Sequence, residues 1–169
     1  RVQPSIKDPI PFDSVNVGGT LRMLKLAHNL GVKRFVYSAS SSCYGNNKNF
    51  PTPETESTNP LSPYGLQKYI GEQYCKMFSE VYGLDTVSLR YFNVYGERQS
   101  ATSDYSGVIS IFENKFKNNE IPNIYGDGEQ YRDCVYVKDV AIANIKAMNT
   151  TNVSGQIICV GTGIKTSIN

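Results

Sequence analysis

The sequence predicts an α/β fold in which helices pack on a parallel sheet. Segments with helical periodicity alternate with short apolar segments, in the order helix, strand, helix, strand, helix, strand, which is typical of α/β layers. Proline and glycine also stand at the expected starts and ends of these segments. A chain of 169 residues forms one domain or part of a larger one, and it can bury roughly two thirds of its unfolded surface.

The first helix is predicted over Phe12–Leu30, because apolar residues recur there at three- and four-residue steps and Gly31 supplies a stop. A short strand is predicted over Val32–Tyr37. The next residues, Ser38–Gly45, are small and polar. Proline, asparagine and threonine are then frequent over Asn46–Ser62, which predicts a loop.

The second helix is predicted over Pro63–Tyr82. Proline suits the first turn of a helix, Ser62 is a plausible N-cap, and Gly83 follows the last helical residue. A strand over Thr86–Phe92 and a loop over Asn93–Tyr105 come next. The later elements are a helix over Gly107–Asn118, an extended piece over Ile121–Tyr125, a turn at 126–128, an extended piece over Tyr131–Val137, a helix capped by Asp139 and ending at Met148, and a strand over Ile157–Val160.

Charge and composition exclude several classes of protein. Seventeen Lys and Arg stand against 15 Asp and Glu, so there is no electrostatic footprint for nucleic acid. No segment approaches the roughly 20 apolar residues of a membrane span. The single histidine, His28, excludes a Ser-His-Asp triad within this chain and the usual kind of metal site. We therefore expect no nucleic-acid partner, no membrane contact and no metal.

The four cysteines are Cys43, Cys75, Cys134 and Cys159, and their spacings contain neither a Cys-x-x-Cys pair nor a zinc pattern. Their neighbours are mostly apolar. We therefore expect reduced, packed thiols in a cytoplasmic protein.

Two polar segments follow predicted strands. Ligands of parallel α/β sheets bind beyond the carboxyl ends of the strands. This rule directs attention to Ser38–Gly45 and to Asn93–Gln99, which are the polar segments after the first two strands.

A tyrosine and a lysine on the second helix form the most informative pair. Tyr64 and Lys68 are four residues apart, so their side chains share one helix face. A nearby ammonium favours the phenolate form of a tyrosine, and such a pair can move protons without any histidine. Taken alone, the pair also fits a solvated helix face, and the serines of Ser38–Gly45 also fit a polar turn.

Four motifs taken together resemble the NAD-dependent epimerase/dehydratase family, the extended short-chain dehydrogenases/reductases that act on nucleotide sugars. The motifs occur in the family's order and cover essentially the whole chain. The helix segment Asn16–Thr20 is also similar to the family's Asn-Val-x-Gly-Thr helix. The four motifs are Ser40–Gly45, Pro63–Lys68, Leu89–Gly96 and Gly126–Asp133.

The resemblance implies a Rossmann-like parallel sheet followed by the start of a smaller substrate-binding lobe. Residues 1–92 would be the C-terminal part of the NAD-binding domain. Residues 93–169 would mix the substrate-binding lobe with the last Rossmann elements. The family's Gly-rich phosphate loop does not occur in this sequence, so we expect the middle half of a protein about twice as long, which would bind NAD poorly by itself. A homodimer formed through the helices near Asn16–Leu30 and Tyr64–Tyr82 is also expected.

The resemblance implies the following roles at the reacting centre. Tyr64 would be the catalytic base, and Ser40 would shuttle its proton. Lys68 would hold the nicotinamide ribose hydroxyls and favour the phenolate form of Tyr64. Phe92 would meet the nicotinamide through its backbone, and Asn16 would support the cofactor side.

The resemblance also implies a set of substrate-binding residues. Asn93 would bind the sugar diphosphate, and Arg132 would pair with a phosphate, although a surface pair of Arg132 with Asp133 is an alternative. Val108 and Tyr125 would hold the nucleotide base.

The remaining substrate residues concern a 2-acetamido group on the sugar. Ser41, Ser42 and Gln99 would lie near this group. The small residues Ser106 and Gly107 would leave room for it.

The reaction is narrowed by the three serines at 40–42. In the family, 4,6-dehydratases carry Thr-Asp-Glu at these positions, and the uronate decarboxylases carry a Glu there. Serines suffice for a 4-epimerase, which removes a hydride at C4, rotates the keto sugar and returns the hydride. The resemblance therefore favours a 4-epimerase of UDP-GlcNAc/GalNAc, UDP-Glc/Gal or their uronic acids, in polysaccharide biosynthesis. The alternatives are a 4,6-dehydratase or decarboxylase of the same family, or a non-catalytic binding or sensor protein.

Overall fold

The computed structural model describes residues 1–100 and 107–169 and has an α/β architecture. The strands are β1 (Phe35–Ser40), β2 (Thr86–Tyr91), β3 (Asn93–Tyr95), β4 (Tyr131–Arg132), β5 (Cys134–Tyr136), β6 (Gln156–Val160) and β7 (Thr166–Ser167). The α-helices are α1 (Val2–Lys7), α2 (Pro9–Asp13), α3 (Thr20–Asn29), α4 (Pro63–Tyr82), α5 (Val108–Lys117) and α6 (Val137–Asn149). A π-helical turn over Ser14–Gly19 joins α2 to α3, and a 3-10 turn over Ser41–Tyr44 follows β1.

The main sheet consists of three parallel strands in the order β1-β2-β6. At its carboxyl edge, Ser40 lies beside Tyr91, and Tyr91 lies beside Val160. Because the three strands run in the same direction, the segments that follow them all start from one edge of the sheet. The predicted parallel sheet of Rossmann type is therefore confirmed.

Helices cover both faces of this sheet. On one face, α3 and α4 pack on β1 through a cluster that contains the fully buried Leu24 and the nearly buried Phe78. On the other face, Ala147 of α6 packs on Val87 and Leu89 of β2. Burying a large apolar side chain contributes about 1.5–3 kcal/mol, so these two clusters hold the layers together.

The smaller sheets lie beyond the carboxyl edge. β3 pairs in parallel with β5, and β4 pairs antiparallel with β7. β3 follows β2 after the single residue Phe92, and the Asn93 N–H starts the pairing with β5 by donating to the Asp133 carbonyl at 2.9 Å.

The helix α4 has the bounds that the sequence predicts. The Ser62 hydroxyl accepts a hydrogen bond from the Gly65 N–H at 3.1 Å, Pro63 occupies the first turn, and Gly83 ends the helix with a φ of 67°. An N-cap serine contributes about 1 kcal/mol, and a left-handed residue at the helix end favours glycine.

Two glycines allow α4 to approach β1 and the 3-10 turn closely. A Cβ at Gly65 would lie 2.7 Å from the Ser42 carbonyl oxygen. A Cβ at Gly71 would overlap the Tyr37 hydroxyl. The N-terminal half of α4 is therefore fixed against the end of β1.

The N-terminal elements differ from the prediction. Helical structure begins at Val2 rather than Phe12, and it is divided into α1, α2, the π-helical turn and α3. The first strand covers Phe35–Ser40 rather than Val32–Tyr37. The Val32 N–H closes the end of α3 by donating to the Ala27 carbonyl, so it cannot begin the strand. The small residues Ser38–Ser40 extend the strand because they pair with residues 89–91 of β2.

The C-terminal elements also differ in detail. The predicted loop over Asn93–Tyr105 begins with β3, and residues 101–106, including Ser106, lie outside the described residues. The predicted extended piece Tyr131–Val137 is interrupted at Asp133, whose carboxylate turns towards Thr162 and Gly163.

Two further predictions for this region are corrected, and one strand was missed. Val137 begins α6, so Asp139 lies in the first helical turn and does not cap the helix. There its charge is favourable beside the helix N-terminus. Residues 121–125 form no strand, and β7 was not predicted.

Within residues 1–100 and 107–169, none of the helices has the length and apolar character needed to cross a bilayer. All four cysteines are free thiols, and burial raises the pKa of Cys43 and of Cys75 to about 12.

The Gly71→Ala substitution is expected to lower the free energy of unfolding by about 1–3 kcal/mol, because the new methyl group collides with Tyr37. Gly18→Ala is the matched control, since its Cβ would meet only an Arg22 guanidinium nitrogen at 3.9 Å. Chemical denaturation of the complete gene product measures both. Equal stability of the two variants would contradict the close packing of α4 on β1.

Candidate active site

Three serines are gathered at the carboxyl end of β1. The Ser40 hydroxyl accepts from the Ser42 N–H at 3.2 Å and donates to the Ser42 hydroxyl at 3.0 Å. Ser40 thereby caps the 3-10 turn, as its extended backbone allows. Ser40 is buried, and Ser41 and Ser42 are half-buried. Two of the three predicted serines, Ser40 and Ser42, are therefore linked through their hydroxyls, and Ser41 lies between them on the turn.

The helix α4 brings the predicted tyrosine and lysine to the same end of β1. The Lys68 ammonium donates to the Ser38 carbonyl at 2.9 Å and lies 5.1 Å from the centre of the Tyr37 ring. Burial lowers the pKa of Lys68, because the charged form loses hydration. Tyr64 lies one turn earlier on α4, and its N–H donates to the Ser5 hydroxyl at 3.0 Å. Because Gly65 packs on the Ser42 carbonyl, Tyr64 is held beside the serine turn.

The third element at this edge follows β2. The Phe92 N–H donates to the Val160 carbonyl at 3.1 Å, which extends the β2–β6 pairing by one bond. A Cβ at Gly161 would lie 3.0 Å from the Phe92 ring and 2.6 Å from the Asp133 carboxylate. The carboxyl edge therefore presents Ser40, Lys68 and Phe92 on three neighbouring elements.

Asn16 is occupied by a contact with α4. Its amide donates to the Gln67 side-chain oxygen at 3.0 Å, and the Gln67 amide donates to the Pro9 carbonyl at 3.4 Å. Gln67 is buried directly before Lys68. The structure thus shows Asn16 as a support for α4 next to the lysine.

The other predicted substrate residues line a cavity of about 510 Å³ beside α5, here called the α5 cavity. Gln99 and Gly107 are in contact there, since a Cβ at Gly107 would lie 3.1 Å from the Gln99 amide nitrogen. Sequence reasoning missed Phe112. An apolar residue on α5 looks the same in the sequence whether it packs in the core or lines a cavity. The predicted residues in this lining are Asn93, Gln99, Gly107, Val108, Tyr125 and Arg132.

A second cavity of about 430 Å³, here called the loop cavity, lies between Ser41, Phe92 and the loop 46–52. Asn93 and Arg132 line both cavities. The two cavities therefore meet at these side chains, and together they lead from α5 to the serine turn.

Asp133 anchors Asn93 and the backbone directly after Arg132, a role that the sequence did not indicate. Its carboxylate accepts from the Thr162 N–H at 2.8 Å, the Thr162 hydroxyl at 2.7 Å and the Gly163 N–H at 2.8 Å. Its carbonyl accepts from the Asn93 amide at 3.2 Å. Asp133 is 5% exposed, so a surface pair with Arg132 is excluded. The only signal in the sequence is an acidic residue directly after Arg132.

Comparison with known proteins now identifies the class. The sequence profile of the NAD dependent epimerase/dehydratase family matches residues 1–161, and the chain belongs to this family. The resemblance noted in the motifs is thereby confirmed.

Several relatives are similar over nearly the whole chain. The UDP-glucose 4-epimerase of Mycolicibacterium smegmatis is 40% identical over 168 residues, which are 98% of this chain and 53% of that protein. A solved UDP-N-acetylglucosamine 4-epimerase of Methanobrevibacter ruminantium, in complex with UDP-N-acetylmuramic acid, is 42% identical with a TM-score of 0.96 over 99% of this chain and 54% of that one. The UDP-glucose 4-epimerase of Thermotoga maritima, solved with UDP-glucose, is 40% identical with a TM-score of 0.92 over 99% and 55%. The chain thus spans about half the length of these relatives.

The Asp133→Asn substitution is expected to lower the free energy of unfolding by about 1–3 kcal/mol, because an amide NH₂ would face donors at Thr162 and Gly163. Asp127→Asn is the control, since the Asp127 carboxylate accepts from the Glu129 N–H at 3.1 Å in an exposed turn. Thermal and chemical denaturation compare the two variants of the complete gene product. A loss at Asp133 no larger than the loss at Asp127 would contradict the assigned role.

Proposed function

We propose that the complete protein is a nucleotide-sugar 4-epimerase that uses NAD. One observation carries the proposal. The serine turn and the Tyr64–Lys68 face of α4 meet at one end of β1, and two cavities that share Asn93 and Arg132 lead to this point. The relatives described as 4-epimerases, and their complexes with UDP-sugars, support the same reading.

The residues at the carboxyl edge fit the nicotinamide–ribose end of NAD. The Lys68 ammonium, partly buried, would hold the ribose hydroxyls together with Tyr64. Because Gly161 has no Cβ, the nicotinamide could approach the backbone closely at the ends of β2 and β6, beside Phe92. Asn16 would act indirectly, through Gln67. When bound, NAD accepts a hydride from C4 of the sugar and returns it.

The α5 cavity fits the nucleotide part of the substrate. Val108 and Tyr125 would flank the uracil base. Arg132 and Asn93 would bind the diphosphate, and the Arg132 guanidinium is already oriented by donating to the Tyr131 carbonyl at 2.8 Å. The sugar would then enter the loop cavity beside Ser41.

The proton chemistry uses this chain's own side chains. Tyr64, as phenolate, would take the proton of the sugar C4 hydroxyl, with Ser40 as the bridging hydroxyl. The Ser40 hydroxyl donates to the Ser42 hydroxyl at 3.0 Å, so it would rotate towards Tyr64 to pass the proton and receive it back after the sugar has turned over.

The substrate side of the serine turn favours epimerisation of a 2-acetamido sugar. None of the three serines can supply the carboxylic acid that elimination of water requires, so a 4,6-dehydratase or decarboxylase is disfavoured. Ser41 and Ser42 would face the acetamido group, whereas the structure puts Gln99 and Gly107 in the α5 cavity, on the nucleotide side. UDP-Glc/Gal and the uronic acids are the alternatives.

We also propose a homodimer formed through α3 and α4. Apolar side chains on these helices are exposed, among them Met23 at 53%, Leu26 at 48% and Leu66 at 47%. Exposed apolar patches of this kind mark interaction surfaces. The domain division at residue 92, a cytoplasmic location and a role in polysaccharide biosynthesis stay predictions.

The function is tested by incubating the complete gene product and NAD with UDP-GlcNAc, UDP-Glc and UDP-GlcA in separate reactions. NMR is expected to show the C4 epimer of at least one of them, with UDP-GalNAc from UDP-GlcNAc as the leading product. A 4-keto-6-deoxy product or released CO₂ would instead support the dehydratase or decarboxylase alternative. Absence of any conversion would contradict the proposal.

Tyr64→Phe is expected to lower kcat by about 10²–10⁴-fold, because the phenol that moves the C4 proton is lost while the ring is kept. Tyr69→Phe on the same helix is the matched control. Steady-state kinetics give kcat, and calorimetry with UDP should show unchanged nucleotide binding in both variants. Near-normal turnover by Tyr64→Phe would remove Tyr64 from the role of base.

A further inference from the structure

The sheet contains a buried ion pair that the chemistry above does not use. Arg90 of β2 is 2% exposed and Glu72 of α4 is 0% exposed. The Arg90 Nε donates to both Glu72 carboxylate oxygens at 2.9 and 3.1 Å, and Nη2 donates to one of them at 2.7 Å. The guanidinium fork thus locks β2 to α4.

The same guanidinium makes a third contact, with the end of the serine turn. Nη1 of Arg90 donates to the Tyr44 hydroxyl at 2.7 Å, and the guanidinium carbon lies 4.7 Å from the centre of the Tyr44 ring. The Tyr44 hydroxyl in turn donates to the Pro53 carbonyl at 3.2 Å. Tyr44 is buried and cannot move without breaking these contacts.

The three partners stand at fixed steps from the reacting groups. Glu72 follows Lys68 by four residues, so both lie on the same face of α4. Tyr44 follows Ser40 by four residues, at the other end of the 3-10 turn. Arg90 precedes Phe92 by two residues on β2.

We propose that Arg90 is a positioning residue. Its contacts with Glu72 and Tyr44 hold three segments in the relative position that the reaction needs. These segments are the serine turn after Ser40, the helix α4 with Tyr64 and Lys68, and the end of β2 before Phe92. This inference rests on the proposed function. Taking two charges out of water costs several kcal/mol per ion, so such a pair contributes little net stability compared with apolar side chains of the same size. Its fixed geometry is what apolar side chains cannot replace, because a guanidinium presents donors in a planar fork.

A second ion pair provides a matched control at the opposite edge of the same sheet. Arg34 and Asp85 precede β1 and β2, and their side chains meet at 2.6 Å. The Arg34 Nη1 also donates to the Ala147 carbonyl at 2.7 Å. This pair joins the amino ends of the strands and has no contact with the serine turn, so its loss should affect stability alone.

The test compares the double variants Glu72→Leu/Arg90→Met and Arg34→Met/Asp85→Leu in the complete gene product with NAD. A displacement of about 1 Å at the reacting groups can cost about 10²-fold in rate, so the first variant is expected to lose about that factor in kcat with unchanged KM and UDP binding. The second is expected to keep kcat. The single variant Arg90→Lys is also expected to have a lowered kcat, because an ammonium lacks the planar set of donors that a guanidinium presents.

Tyr44→Phe is the milder variant and decides the matter if the first double variant fails to fold. It keeps the Arg90–Glu72 pair and removes the hydrogen bonds that the Tyr44 hydroxyl makes with Arg90, the Pro53 carbonyl and Cys159. We expect a lower kcat with unchanged KM, and faster amide hydrogen exchange over residues 41–45.

Wild-type kcat and wild-type exchange in Tyr44→Phe, or wild-type kcat in a folded Glu72→Leu/Arg90→Met variant, would overturn the proposal. If the wild-type protein epimerises no UDP-sugar, the proposed function fails instead. In that case, hydrogen exchange in Tyr44→Phe still shows whether the contact with Arg90 fixes the serine turn.

Discussion

The close packing of α4 on β1 and β2 is the contact on which the remaining structure depends. Two glycines make it possible, since a side chain at Gly65 or Gly71 would collide with Ser42 or Tyr37. This approach brings the Lys68 ammonium within hydrogen-bond distance of the Ser38 carbonyl. The candidate acid–base residues therefore owe their position to the absence of two methyl groups elsewhere on the helix.

The ion pairs at the two edges of the main sheet differ in burial and in what they contribute. The Arg34–Asp85 pair at the amino edge is partly exposed, so solvent screens it and its net contribution is small. At the carboxyl edge, Arg90 and Glu72 are almost fully buried, where desolvation opposes the attraction of the charges. Hydrophobic burial on both faces of the sheet, rather than either pair, supplies most of the stability. The buried pair therefore acts mainly on geometry, because it sets the position of α4 relative to β2.

The features that sequence reasoning found are those with local causes. Ser62, Pro63 and Gly83 define the ends of α4 through contacts within a few residues, so its bounds are predictable. The predicted substrate residues follow from the family resemblance, and six of them line one cavity, although only Asn93 and Arg132 lie within the motifs. In a regular helix such as α4, the spacing of two residues in the sequence determines whether their side chains share a face.

The features that were missed depend on distant partners. The start of β1 is displaced to Phe35 because Val32 closes α3 and because β2 supports Ser38–Ser40. Asp133 is separated by about thirty residues from Thr162 and Gly163, the donors that keep it buried. An arginine within the apolar segment Thr86–Phe92 was visible in the sequence, but its partner Glu72 could not be identified from spacing.

In the proposed function, one edge of the main sheet positions a UDP-sugar for proton removal at C4. A crystal structure of the complete gene product with NAD and UDP-GlcNAc would reveal this arrangement. We predict the Tyr64 hydroxyl at about 2.6–3.2 Å from the sugar O4, or one water away, with the diphosphate on Arg132. A sugar bound with O4 directed away from Tyr64, or a diphosphate that does not contact Arg132, would contradict it.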